Sequence, residues 1–191
     1  MPTLVIIAGC NGAGKTTASY TVLPELLNIQ EFVNADEIAR GLSPFQPHKA
    51  AIEAGKIMLR RIDDLLSKKI DFAFETTLSS RSFVGLIYRA RQAGYTINLI
   101  YYWLDSVELA VERVRLRVSE GGHDIPKDVI IRRYYSGLKN LFTLYQELSD
   151  YWLLIDNSQT KPDVVAEGKG SETSIRNFNK WELIKKITSN D

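Results

Sequence analysis

The stretch LVIIAGCNGAGKTTAS, Leu4 to Ser19, decides how this chain folds. Leu4 to Ala8 is a short apolar run rich in β-branched residues, the composition of a parallel strand covered on both faces. Gly9-Cys10-Asn11-Gly12-Ala13-Gly14-Lys15-Thr16 then satisfies the spacing G-x-x-x-x-G-K-[ST]. Glycines at these positions let the backbone curl so that its N–H groups converge, and the helix that follows adds the positive end of its dipole. The unit is a cradle for polyphosphate. Gly9, Asn11, Gly12, Ala13 and Gly14 form its wall, Lys15 reaches the β- and γ-phosphates, and the Thr16 hydroxyl is a Mg2+ ligand. Thr17 is a second phosphate contact or helix filler. Cys10 has no sequence neighbour that lowers a thiol pKa and reads as a small tolerated residue, not a nucleophile.

The chain has 191 residues, which suits one domain with at most a small appendage. Hydrophobic residues make up 45% and charged residues 25%, ordinary for a globular core of this size. A net charge of +1 implies no bulk pull toward nucleic acid or membrane. The single cysteine excludes an internal disulfide and fits a reducing cytoplasm. The sequence shows neither a signal peptide nor an apolar run long enough to span a membrane, so a cytoplasmic location is expected.

Working outward from the loop, strands are expected at Thr3–Ala8, Glu31–Asn34, Asp71–Glu75, Thr96–Leu104 and Trp152–Asp156. Helical patterns at Lys15–Leu27, His48–Lys69, Ser82–Ala93 and Ser106–Ser119 alternate with them, and Asp128–Leu148 adds another. Together with the phosphate loop, this alternation predicts an α/β P-loop NTPase fold in three layers. Its core is a parallel five-stranded sheet with helices on both faces. Residues 106–148 read as two helices joined by EGGHDIP, a helical lid inserted before the last parallel strand. The domain is expected over residues 1–160. Residues 161–191 follow as a hairpin turning at Gly168–Gly170 and a short helix packed on the same domain.

Ligands of open parallel sheets sit beyond the carboxyl ends of the strands. After the second expected strand comes NADEIARGLSP, with Asn34 and Asp36; on position alone Asp36 is either a general base or the N-cap of a helix. After the third comes FETTLSSR, with Glu75, Thr76 and Thr77. Glu75 closes an apolar approach, DFAF, as a metal-side carboxylate does; the alternative is a buried acid paired with an arginine. Asp105 heads DSVELAVERV as a helix cap. After the fifth comes DNSQ, with Asn157 placed to contact nucleotide. Between Arg81 and Lys139 lie ten Lys or Arg against six Asp or Glu. Arg117 and either Arg132 or Arg133 read as arginines that close over phosphates, while Arg113 and Arg115 read as a solvated charged face. His123 reads as a turn histidine, and the tyrosines and tryptophans as packing.

Together the phosphate loop, VNADEIA, AFETTLSSR, RVSEGGHDIP, IRRYYSGLKNL and DYWLLIDNS resemble the zeta-toxin-like P-loop kinases over residues 3–158. The resemblance implies ATP and Mg2+ as cofactors and a small-molecule hydroxyl as phosphoryl acceptor. In the best-known members that acceptor is the 3′-hydroxyl of the UDP-N-acetylglucosamine sugar. It also implies Lys15 and Thr16 on ATP and Mg2+, Asp36 as base, and Glu75 and Thr77 on substrate. Arg117 would be the first lid arginine. GGHDIP carries no arginine where the family has its second, so Arg132 is assigned here with Arg133 as the alternative. Several members are toxins held by a small antitoxin, which makes such a protein an expected partner. A P-loop ATPase or switch acting on a protein partner is the competing reading. The third-strand loop offers no glutamine or histidine to orient water for it. No nucleic-acid partner is expected, because the lid's excess charge is too small for a backbone-tracking groove.

Overall fold

The computed structural model describes residues 1–122, 124–169 and 172–189. Seven strands form one sheet: β1 (Thr3–Gly9), β2 (Glu31–Val33), β3 (Phe72–Thr76), β4 (Thr96–Trp103), β5 (Tyr151–Asp156), β6 (Asp163–Lys169) and β7 (Glu172–Ile175), in the order β2-β3-β1-β4-β5-β6-β7. The helices are α1 (Lys15–Thr21), α2 (Ala35–Leu42), α3 (Ala51–Lys68), α4 (Val84–Gln92), α5 (Val107–Ser119), α6 (Lys127–Asn140) and α7 (Phe178–Ser189). Leu4 to Ala8 are all 0% exposed. Successive strand residues point to opposite faces, so β1 is covered on both, as its unbroken apolar run demands.

β1 pairs parallel with β3 and β4, β3 with β2, and β4 with β5. These five strands are the expected parallel set. The sheet nevertheless has seven strands, which corrects the expectation of five: β6 runs antiparallel to β5, and β7 antiparallel to β6. The linker from β5 to β6 covers only residues 157–162, whereas a parallel return needs a crossover of about a dozen residues or more. The segment therefore folds straight back. Of the turn expected at Gly168–Gly170, the first residue belongs instead to a strand. Gly168 is inside β6, opposite Thr173, and Lys169 pairs with Glu172. Gly170 itself lies outside the described residues.

Two helical expectations were too long. After Thr21 the first helix widens into a π turn, Val22–Leu26, which carries Pro24. After Asn140 the lid helix does the same over Leu141–Tyr145. Proline cannot donate the N–H that a regular continuation requires. Among the described residues no helix is long and apolar enough to cross a membrane.

The C-terminal helix α7 fastens the end of the lid to the sheet. Trp181 stacks on Trp152 of β5 and meets Phe142, just past α6, edge to face. Lys180 Nζ sits 2.7 Å from the Asp156 carboxylate, which is 3% exposed, and 3.0 Å from Asp163. The hydrogen bond to Asp156 raises the Lys180 pKa above its ordinary value. A raised folded-state pKa stabilises fully below the unfolded value and is lost as pH climbs through the folded one, so the clamp holds at neutral pH and fails only in strong alkali. Lys180→Met strands the Asp156 charge. Lys180 keeps 30% exposure, so the expected loss at pH 7 is about 2 kcal/mol, below the ~3–5 of a fully buried pair. Urea denaturation measures it; an unchanged midpoint would make the clamp ornamental.

Candidate active site

Three loops meet at the carboxyl ends of β1, β2 and β3. The first is the phosphate loop, Gly9 to Thr16. Gly14 takes φ +80°, a conformation that favours glycine, and a Cβ there would stand 2.5 Å from Asn157 Nδ2 and displace that side chain. Asn157 donates from Nδ2 to the Ala13 carbonyl at 2.8 Å. This contact braces the phosphate loop against the end of β5. Arg113 is half-buried and donates to the Asn157 and Ser158 carbonyls, both at 2.9 Å. The solvated-face reading of Arg113 is therefore corrected: it ties the lid's first helix to the end of β5. Burial raises the Cys10 thiol pKa to about 11 against the lowering by Lys15, so the sulfur stays protonated at neutral pH. Thr17 is exposed on the first turn of α1.

Lys15 is 6% exposed, and its ammonium donates to the Cys10 carbonyl at 3.0 Å. It also lies 3.5 Å from Glu75 Oε1. Glu75 Oε2 accepts from the Thr16 hydroxyl at 2.7 Å and from Asn34 Nδ2 at 2.9 Å. The partners of Glu75 are thus lysine, threonine and asparagine, not an arginine. Lys15 and Thr16 are neighbours in the phosphate loop and Asn34 follows β2; the parallel pairing of β3 between β1 and β2 brings both segments to Glu75.

Asn34, which the sequence reading placed beyond the second strand without a role, caps the helix that follows. Its Oδ1 accepts from the Asp36 and Glu37 amides at 2.8 and 3.4 Å and caps α2, while its Nδ2 holds Glu75. The cap reading of Asp36 is therefore corrected: Asp36 is the second residue of α2, exposed, with its carboxylate free of any capping duty. The local signal was present, since Asn34 followed three residues later by Glu37 has the spacing of a capping box. Asn34→Ala is expected to lower stability by about 1 kcal/mol, and Asn34→Ser, which still caps, by much less. Thermal melts of the two, beside Asp36→Ala with its cap intact, separate the assignments; a drop in Asp36→Ala alone would restore Asp36 as the cap.

The third-strand loop is bent tightly beneath α6. Leu78 is buried at φ +54°, a strained conformation for a branched residue. Its N–H donates to Thr76 Oγ1, and its carbonyl accepts from Asn140 Nδ2. Gly137 of α6 packs so closely on the Thr77 carbonyl that a side chain has no room. The Thr77 hydroxyl shares a hydrogen bond with Ser79 at 2.8 Å, and Thr77 does not line the cavity at Asp36.

The lid contributes arginines. Arg117, in the last turn of α5, lines a small cavity of about 60 Å3 together with Asp36, Ala39, Arg40 and Pro47. Arg132 faces solvent. Arg133 instead is half-buried and donates to Asn11 Oδ1 of the phosphate loop at 3.1 Å. The preference for Arg132 is corrected accordingly. Adjacent helical residues point about 100° apart, so only one of the pair can face the loop. Burial depresses the Arg133 pKa, the Asp36 charge opposes that shift, and Arg132 adds to it. Asp36 is thus close enough to Arg133 to be felt across the cleft. His123, in the lid turn, lies outside the described residues.

Among the described residues no three His, Cys, Asp or Glu gather into a metal cage. Mg2+ bound jointly with nucleotide phosphates needs only one or two protein oxygens. The Thr16 hydroxyl and the Glu75 carboxylate, side by side next to the loop, fit that demand.

Comparison with known proteins extends this geometry. The Zeta toxin family model matches residues 1–161. An uncharacterized protein of Haemophilus influenzae is 30% identical over 130 residues, which cover 68% of this chain and 91% of the relative. A chain of the AvrRxo1-ORF1:-ORF2 complex with ATP superposes at TM-score 0.76 and 19% identity, over 98% of this chain and 64% of that one. This chain therefore spans somewhat under two thirds of that protein's length. A structure from the PezAT chromosomal toxin-antitoxin system of Streptococcus pneumoniae superposes at TM-score 0.64 and 15% identity, over 100% and 80%. At these identities the solved structures establish a shared fold.

Proposed function

The chain belongs to the Zeta toxin family, and from that membership and the cleft geometry we propose an ATP-dependent kinase that phosphorylates a hydroxyl of a small molecule. UDP-N-acetylglucosamine is the first acceptor to test. The observation that carries this reading is the freedom of Asp36. Asn34 caps α2 in its place, which leaves an exposed carboxylate that lines one cavity with Arg117 and whose charge acts on Arg133, the arginine bonded to the phosphate loop. A carboxylate beside phosphates repels them unless it serves the acceptor.

The roles follow from position. The loop amides and Lys15 hold the ATP phosphates; Lys15 leaves its resting contacts with Cys10 and Glu75 to do so. Thr16 and Glu75 would hold Mg2+, which would supply positive charge to the β- and γ-phosphates. Asn34 fixes the Glu75 carboxylate. Asp36 accepts the proton of the acceptor hydroxyl and keeps its oxygen in line for attack. Arg133 shifts from Asn11 to the phosphates, and Arg117 meets them from the end of α5. Both neutralise charge that grows during transfer. Thr77 is the remaining substrate contact. The kinase unit comprises residues 1–160, with 161–191 as its C-terminal buttress.

ATP as donor is supported by the ATP complex of the AvrRxo1 pair. A small antitoxin as partner is supported by the toxin-antitoxin system to which the Streptococcus pneumoniae structure belongs. The test is to incubate the pure protein with γ-labelled ATP and nucleotide sugars, nucleosides or water alone. Label is expected on a nucleotide sugar. Label released only as inorganic phosphate would favour the ATPase reading.

A further inference from the structure

β7 ends the sheet, with β4, β5 and β6 between it and β1. Among the described residues no further strand lies beside it, and all of its residues, Glu172–Ile175, are exposed. An uncovered edge is a template for another strand, and proteins usually blunt one with a proline, a bulge or a charge along its length. β7 reads Glu-Thr-Ser-Ile, and its pairing with β6 runs without a register shift. Thr173 and Ile175 are β-branched, which suits a paired strand. Its charges stand at the two ends: Glu172 opens the strand, and Arg176 follows it.

We propose that β7 pairs antiparallel with β7 of a second copy of this chain, Ser174 lying opposite Ser174 at a two-fold axis. The two sheets then continue into one another.

The backbone restricts the register first. Arg176 N–H donates to the Val165 carbonyl at 2.9 Å. In an antiparallel ladder, residues alternate between turning their polar groups to one neighbour and to the other. Ser174 and Glu172 therefore also turn theirs to β6, while Thr173 and Ile175 turn theirs to the free edge. A second β7 has to set outward residue against outward residue. Registers centred on Thr173, Ser174 or Ile175 do so; those centred between residues do not.

Charge selects among these. Centred on Ser174, Glu172 falls opposite Arg176 of the second copy, and Arg176 opposite its Glu172. Thr173 falls opposite Ile175, and the two exchange both backbone hydrogen bonds. Centred on Thr173, Glu172 faces a serine; centred on Ile175, Arg176 does. Glu172 already stands across from Lys169 on β6, so charge alternates over the joined edge: Lys169, Glu172, then Arg176 of the second copy. Arg176 is held by Glu167 at 2.6 Å, with its side chain 61% exposed. A guanidinium has N–H groups to spare for a second carboxylate, so the new pair costs no old one. A contact of this symmetry closes as a dimer and does not propagate into fibres. The cleft at β1, β2 and β3 lies toward the opposite end of the sheet, so both copies keep it open.

The experiment is sedimentation velocity of the full chain over a wide concentration range. A reversible monomer–dimer exchange is expected, with Kd about 10–100 μM, because so short a strand pair makes a small interface. As concentration rises, the Thr173 and Ile175 amides should gain protection from hydrogen exchange, and Ser174, already turned to β6, should change little. Glu172→Arg and Arg176→Glu each set like charges across the axis and are expected to weaken the dimer by about tenfold. Mixed in equal amounts, the two variants present opposite charges at both ends and should associate within about threefold of the original affinity. Damage to the fold would not be repaired by mixing. Thr173→Pro removes an outward N–H and leaves the β6 ladder its donors; it should abolish the dimer, with a thermal melt to show that the variant is folded. A chain that stays monomeric over the whole range overturns the proposal and leaves the edge for a strand of another protein. A dimer indifferent to Thr173→Pro and to both charge variants overturns it as well, because another face then makes the contact.

Discussion

Replacing Asp36 by asparagine is expected to lower phosphoryl transfer by about 10²-fold or more, the usual worth of a positioned base, while ATP still binds. The exchange keeps size and polarity and removes one basic oxygen and one charge. Because Asn34 caps α2, neither Asp36→Asn nor Asp36→Ala should lose a cap, and both should melt near the unmodified protein. A first-turn acid also favours the helix dipole, but exposed as Asp36 is, that contributes only about 0.3–1 kcal/mol. The loss should fall on kcat, with the ATP dissociation constant nearly unchanged. Normal transfer by the asparagine variant would remove Asp36 from the chemistry. Faster ATP hydrolysis without transfer would instead mean an acceptor site newly open to water.

The second large effect belongs to the lid. Arg133→Ala is expected to reduce kcat by about 10³-fold, the lower end for an arginine that meets phosphates in the transition state, and Arg132→Ala by little. The pair is its own control, since both substitutions remove one positive charge from the same helix. Only Arg133 reaches Asn11 of the phosphate loop; Arg132 points to solvent. Stopped-flow or single-turnover transfer separates the loss in the chemical step from any change in ATP affinity. Equal effects from the two variants would mean that net lid charge matters and not the direction of one side chain.

The sequence by itself determined the phosphate loop, the five parallel strands and the existence of a two-helix lid. Each of these is a local matter: a glycine spacing, an apolar run of strand length, a helical period. It also held the cap of α2, written in Asn34 and Glu37, although Asp36 competed for that role because an acid near a helix start suits either. What the sequence left undecided depends on distance in space. Glu75 finds Lys15, Thr16 and Asn34 because β3 lies between β1 and β2, and no spacing along the chain encodes that order. Asn157 turned out to brace the loop because β5 ends behind it. The choice between Arg132 and Arg133 rests on how α6 is rotated against the sheet. That rotation is set by Gly137 packing on the Thr77 carbonyl and by Tyr134 donating to Leu104 O. A helical pattern specifies which residues share a face; only the packing of that face on its neighbours decides which of them meets the cleft.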